Sequence, residues 1–107
     1  MAAEFHIRFA KSEEYFNKKA ELIGSLRKSI SYAGEPHENT VWLKESSEVD
    51  GWGYDARVFF ENNEILLEIS RASKLVHNDL RNFVAFMRAT IVFEVVDDDG
   101  ELVDFWG

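Results

Sequence analysis

The sequence predicts an α+β fold: a single, largely antiparallel sheet with two helices packed on one face, in the order β-α-β-β-β-α-β-β. Three observations carry this. Several short runs alternate apolar and polar residues, the period of a half-buried strand. Two longer segments repeat apolar residues at helical spacing. Two pairs of strand-like runs are separated by only two or three turn-forming residues, which makes them hairpins and the sheet antiparallel.

The first strand is "EFHIRFA", with Phe5, Ile7 and Phe9 on one side and His6 and Arg8 on the other. Ser12 precedes "EEYFNKKAELIGSLRKSISYAG", where Phe16, Ala20, Ile23, Leu26 and Ile30 recur at helical spacing. Ser12 is the expected N-cap, with Glu13 and Glu14 in the first turn, Arg27 and Lys28 nearer the end and Gly34 as the stop. Pro36, the one proline, places "AGEPHEN" in a loop after the helix. "TVWLKES" reads as a short strand and "SSEVDGWGYD" as a polar, glycine-bearing loop, with Tyr54 beginning the next strand and pointing to the core.

"YDARVFFENNEILLEIS" is the clearest hairpin. With Asn62-Asn63 as a two-residue turn that tolerates positive φ, Phe60 faces Ile65, Val58 faces Leu67 and Ala56 faces Ile69. The other side pairs Phe59 with Leu66 and Arg57 with Glu68. "SKLVHNDLRNFVAFMRA" is the second helix. Its apolar stripe is Val76, Leu80, Phe83, Val84 and Met87, and Lys74, Arg81 and Arg88 recur every seven residues on a solvent-facing stripe.

"TIVFEVVDDDGELVDFWG" closes the chain as a second hairpin. A two-residue turn at Asp99-Gly100 would put Asp104 on the face of Ile91, Phe93 and Val95. A three-residue turn, Asp98-Asp99-Gly100, pairs Val95 with Val103, Phe93 with Phe105 and Val96 with Leu102. It sorts the core residues onto one face and is the form with a left-handed glycine, so it is preferred. It also sets Glu94 opposite Asp104 and Val92 opposite Trp106. Like charges directly opposite are destabilising, so Glu94 and Asp104 need a cation: Arg8, Arg57, Lys44 or one from a partner.

The chain has 107 residues and a formal net charge of −8, one domain spanning 1–107. An acidic chain repels a phosphate backbone, so nucleic acid is not an expected partner and a basic protein is. The charge is also segregated. Residues 11–34 hold five Lys/Arg against three carboxylates, and 70–90 hold four against one, so the remainder carries −13. There are no cysteines, which excludes a disulfide framework, a zinc–thiolate site and a cysteine nucleophile and suits a reducing compartment. "MAAEFHIRF" does not read as a secretory signal, and no apolar stretch approaches the ~20 residues of a membrane span. A soluble cytoplasmic protein without membrane association is expected.

A calcium loop of the EF-hand kind needs Asp first, Gly sixth and Glu twelfth. Aligning Gly100 puts Val95 and Trp106 at the outer positions, and aligning Gly51 puts Ser46 and Arg57 there. No metal or cofactor is expected. His6, His37 and His77 fall on a strand, a loop and a helix without ligand spacing, and no nucleophile or phosphate-loop motif occurs, so no enzyme is expected. The sheet face away from the helices would carry Trp42, Phe59, Leu66, Val92, Val96, Leu102 and Trp106 among His6, Arg8, Lys44, Arg57, Glu68, Glu94 and Asp104. That face is too apolar to be idle. A homodimer, another partner, or the segments 35–40 and 46–53 would cover it.

In size, acidity, lack of cysteine and α+β build, the chain resembles the small immunity proteins of bacterial toxin systems. The resemblance implies that it binds and inhibits a cognate toxin domain, often a cationic nuclease, by blocking its active site. From the residues themselves, the expected contact set is Asp97, Asp98, Asp99, Glu101, Asp104 and Trp106 with Glu94 beside them, and Glu45, Glu48, Asp50 and Trp52 as a second cluster. The alternatives are a homodimeric structural or regulatory protein using the outer sheet face, and a small ligand-binding protein or enzyme with a polar pocket near His37 or His77.

Overall fold

The computed structural model describes residues 3–45, 54–70 and 73–103. Its elements are β1 (Ala3–Phe9), α1 (Ser12–Arg27), β2 (Tyr32–His37), β3 (Thr40–Leu43), β4 (Ala56–Phe60), β5 (Glu64–Ile69), α2 (Lys74–Arg88) and β6 (Phe93–Asp97). The strands form one six-stranded antiparallel sheet in the order β2-β3-β4-β5-β1-β6. This is the α+β architecture that the sequence predicts, with both helices on one face. Ile7, Val41, Leu43, Val58, Leu67 and Val95 of the sheet share a single core with Leu22 and Leu26 of α1 and with Leu80, Val84 and Met87 of α2.

Two elements differ in detail from expectation. The segment read as a loop around Pro36 is strand β2. It lies at the edge of the sheet, where a residue lacking an N–H is tolerated. Its pairing with β3 shifts register on both sides of Gly34, whose φ is +125°, so the strand bends away from straight pairing. After β6, the return strand is represented among the described residues by the bridge between Val96 and Leu102.

The β4–β5 hairpin has the predicted register, from Ala56 opposite Ile69 to Phe60 opposite Ile65. Its Asn62-Asn63 turn is made without positive φ. Asn39, between β2 and β3, is the non-glycine residue that adopts it, at φ 59°. Tyr54 does not enter a strand or point to the core. Its ring packs 4.9 Å from Trp42 on the opposite face of the sheet.

Helix α1 is rotated relative to the predicted stripe. Tyr15 and Leu22 are buried and Phe16 is 75% exposed, while Leu26 of the predicted stripe is buried as expected and Ile30, 81% exposed, lies beyond the helix end. The cause is Tyr15. Its ring stacks on Phe9 with centroids 4.4 Å apart, and its hydroxyl donates to the Glu61 carbonyl at 2.5 Å and, more weakly, towards that of Glu64 at 3.4 Å. A phenylalanine in that position would remove the donor to the Glu61 carbonyl, whereas the Glu64 carbonyl still accepts from the Glu61 N–H. Burial, reinforced by Glu61 and Glu64, pushes the Tyr15 phenol well above its usual range. The cap also moves: Lys11 is the N-cap, without a side-chain bond, and Ser12 lies inside the first turn. The helix stops at Arg27, with Lys28 as C-cap, well before Gly34.

Helix α2 follows the sequence closely. Ser73 caps it, its side chain accepting from the Val76 N–H, and the five predicted apolar residues are buried. Asp79 is buried as well, a charge that the apolar stripe does not forecast. One oxygen of its carboxylate accepts from the Ser31 N–H at 2.8 Å and the Ser31 hydroxyl at 2.6 Å. This ties α2 to the chain leaving α1, at the point where β2 begins.

Asp79→Ala would leave both Ser31 donors buried and unsatisfied and should cost about 2–4 kcal/mol in urea unfolding, against about 1 kcal/mol for Ser31→Ala. A second contact gives an acid limb. Arg27 donates to both oxygens of Glu35, at 2.5 and 2.9 Å, and the Tyr32 hydroxyl donates at 2.8 Å. These hydrogen bonds, that of Arg27 first, lower the Glu35 pKa from 4.5 to about 2. A lowered carboxylate stabilises the fold above its unfolded value and loses that contribution as pH falls from 4.5 towards 2. The stability gap between the wild type and Glu35→Gln should therefore close over that window, and it should be small at pH 7 because the pair is solvent-screened. Unfolding midpoints at pH 6 and pH 2.5 would test both statements.

Candidate protein-binding surface

The outer sheet face is built by the strand register. In one row Trp42 opposes Arg57, Arg57 opposes Glu68 and Glu68 opposes Glu4. In the next, Thr40, Phe59, Leu66, His6 and Val96 follow one another across the sheet, and Val96 bridges to Leu102. In the third, Glu64 opposes Arg8 and Arg8 opposes Glu94. The apolar part of this face is partly accessible: Trp42, Phe59 and Leu66 are half-buried, and Val92 and Leu102 are 68% and 71% exposed.

His6, Arg8 and Arg57 on this face contact carboxylates of the chain itself. His6 Nδ1 lies 2.7 Å from Glu64 Oε2, a contact in which that nitrogen carries the proton. Arg8 Nε lies 3.6 Å from the other oxygen of Glu64. Arg57 donates from Nε to Glu68 at 2.6 Å and contacts the same oxygen through a terminal nitrogen. Its guanidinium also sits 4.3 Å from the Tyr54 ring centroid and 5.1 Å from that of Phe59, a stacked position that lysine would not fill in the same way. Arg57 therefore offsets the like-charge approach of Glu68 and Glu4 across the β1–β5 pair. The Trp42 indole N–H is shielded and has no acceptor among the described residues.

The closing turn has the predicted register. Asp97 N–H donates to the Glu101 carbonyl and Val103 N–H to that of Val95, both at 2.9 Å, leaving Asp98, Asp99 and Gly100 as the three-residue loop. Gly100 takes φ +83°. The Asp97 carboxylate closes the turn from within, its Oδ1 accepting from the Asp99 and Glu101 N–H groups at 2.9 Å each. Carboxylate oxygens of Asp97, Asp98 and Asp99 lie within 4.8 Å of one another, but that of Asp97 is engaged by the backbone.

Of the two acidic clusters proposed from sequence, the described members Asp97, Asp98, Asp99, Glu101 and Glu45 stand at the same end of the sheet. Asp97 lies opposite Phe5, and Ala3, Ile69, Ala56 and Leu43 line up along the same edge. Glu45 follows Leu43 there, its N–H held by the buried Asp55 carboxylate at 3.0 Å. Strands β6 and β3 are four positions apart in the sheet, so Glu45 and the Asp97 turn are separated by roughly 19 Å, within the width of one protein–protein interface. Glu45, Glu94, Asp98, Asp99 and Glu101 are exposed and have no ion-pair partner among the described residues. Glu94 faces Arg8 across β1–β6, but Arg8 is drawn to Glu64. Asp104, Trp106, Glu48, Asp50 and Trp52 lie outside the described residues. Sequence reasoning missed Glu64 and Asp55, because their partners come from non-adjacent segments.

Two clefts flank the described surface, about 280 Å³ at Arg8, Phe93 and Glu94 and about 360 Å³ at Ser12, Phe16 and Asn62. Neither includes His37 or His77, which are exposed on β2 and α2. No helix among the described residues is long and apolar enough to cross a membrane.

Gly100→Ala forces an L side chain into the left-handed region and should lower stability by about 1–2 kcal/mol by thermal unfolding. An unchanged midpoint would mean that the turn relaxes to another form. Comparison of the chain with family models, with curated proteins and with solved structures found no match.

Proposed function

We propose that the chain is an acidic protein-binding module that docks on a basic protein domain and neutralises it by covering its active site, in the manner of the immunity proteins it resembles in type. A cationic nuclease toxin domain is the partner class that this resemblance implies. The observation that carries the reading is the arrangement of unpaired carboxylates. Asp98, Asp99 and Glu101 stand at one end of the sheet with Glu45, and Glu94 stands on the adjoining outer face, where Arg8 and Arg57 contact Glu64 and Glu68. Among the described residues these five carboxylates have no ion-pair partner, which leaves them to a partner's cations. Trp42, Phe59 and Leu66 supply the apolar area beside them.

On this reading the chain needs no cofactor, metal or catalytic group of its own, and it binds neither nucleic acid nor membrane. Charge would act mainly on the association rate. The exposure of Val92 and Leu102 also favours a second reading, a homodimer through the outer face.

Affinity recovery from extracts of the native host should yield a basic protein. Asp98→Lys with Asp99→Lys should slow its association about tenfold at low salt and change dissociation little. Recovery of no basic partner, or rates indifferent to salt, would sink the proposal. Sedimentation at micromolar concentration gives a concentration-independent monomer on the first reading and a dimer on the second.

A further inference from the structure

Helix α2 is fixed to the core by one side and presents a cationic line on the other. Lys74, Arg81 and Arg88 are all exposed and stand seven residues apart, roughly 10.5 Å along the axis. Asn78 and Ala85, also exposed, fall between them at the alternating four- and three-residue steps of a helix–helix seam. Phe86, 42% exposed, stands about 100° round the helix from Ala85, at the margin of the exposed side. None of the three cations has an ion-pair partner among the described residues. The one acid of the helix, Asp79, is buried and bonded to Ser31. In a chain of net charge −8, carboxylates to pair with these cations are plentiful, yet none is placed on the helix's solvent side.

We infer that this face of α2 is a second docking surface, distinct from the acidic one, and that it takes an acidic helix laid along it. Charge complementarity selects an acidic partner. The spacing selects a helix, because carboxylates seven residues apart on one helix repeat at the same distance as the cations on another. The small side chains at positions 78 and 85 let the partner backbone approach, and Phe86 offers an apolar contact at the rim. Duplex nucleic acid is disfavoured by the acidic body behind the stripe. The outer-face carboxylates lie beyond the helix's own diameter of about 10 Å, more than the ~8 Å screening length at physiological salt, so they do not cancel the stripe locally.

The probe is a labelled synthetic helical peptide of three heptads with glutamate at one seam position, and a glutamine version as control. Fluorescence anisotropy with the full chain should show binding of the glutamate peptide that weakens about tenfold between 20 and 300 mM salt. Arg81→Glu with Arg88→Glu should weaken it at least tenfold, and Phe86→Ala about threefold. Arg81→Gln with Arg88→Gln, which keeps the helix and removes only charge, should fall between. Circular dichroism checks that each variant is folded. Binding of the basic partner proposed above should survive these substitutions, which separates failure of the two ideas. Equal binding of the two peptides, insensitivity to the arginine substitutions, stronger binding of a duplex oligonucleotide, or occupation of the stripe by a second copy of the chain would each overturn the inference.

Discussion

Strand β1 comes first in the chain but lies between β5 and β6 in the sheet. Nearly everything else depends on that insertion. Without it, the meander from β2 to β5 and the strand β6 would be separate pieces with an open edge each, and edges are a liability. By pairing Ile7 with both Ile65 and Val95, β1 closes the inner face beneath the two helices. By pairing His6 with Leu66 and Val96, it makes the outer face continuous. These are non-local pairings whose loop-closure entropy is met before their contacts form, so they are expected to assemble after the hairpins.

The insertion also decides the electrostatics. β1 brings Glu4 against Glu68, an unfavourable approach, and Arg8 between Glu64 and Glu94. A single arginine cannot serve both carboxylates closely, and it sits with Glu64, which His6 also contacts. Glu94 is left exposed. Arg8 stands opposite it in register, but its guanidinium is drawn to Glu64 on the other side. The same asymmetry holds at the closing turn, where Asp97 is engaged by backbone N–H groups while Asp98 and Asp99 are exposed and have no ion-pair partner among the described residues.

What could be read from the sequence was what is local. The β4–β5 register follows from five consistent side-chain pairs and a short turn. The 98–100 turn follows from sorting Val95 and Val103 onto one face. The α2 stripe follows from strong amphipathic spacing. The misreadings have a common physical origin in tertiary override. Pro36 reads as a breaker, but an edge strand tolerates it. Phe16 reads as core, but Tyr15, one position earlier, takes that place because its hydroxyl reaches the Glu61 carbonyl of the β4–β5 hairpin, while Ile23 and Leu26 stay against the core. Of the candidate surface, the alternation of Trp42, Arg57, Phe59 and Glu68 was legible because each strand fixes its own sides. The salt bridges to Glu64 and the alignment of Glu45 with the Asp97 turn were not, because both require knowing where β1 inserts.

The resulting molecule carries two signs on separate structures. Helix α2 carries Lys74, Arg81 and Arg88 without ion-pair partners among the described residues, and the strand ends carry Asp98, Asp99, Glu101 and Glu45 likewise. Such a charge distribution is a dipole with a net negative offset, and its effect on encounter is orientational. A basic domain approaching the helical side meets like charge at short range, and one approaching the sheet end does not. Rotation of the sheet end towards such a partner is then favoured before contact, so the apolar outer face arrives already aligned. That argument needs no strong individual ion pair. Exposed pairs contribute little each, but their placement on opposite layers of a rigid two-layer fold lets many weak interactions act in one direction.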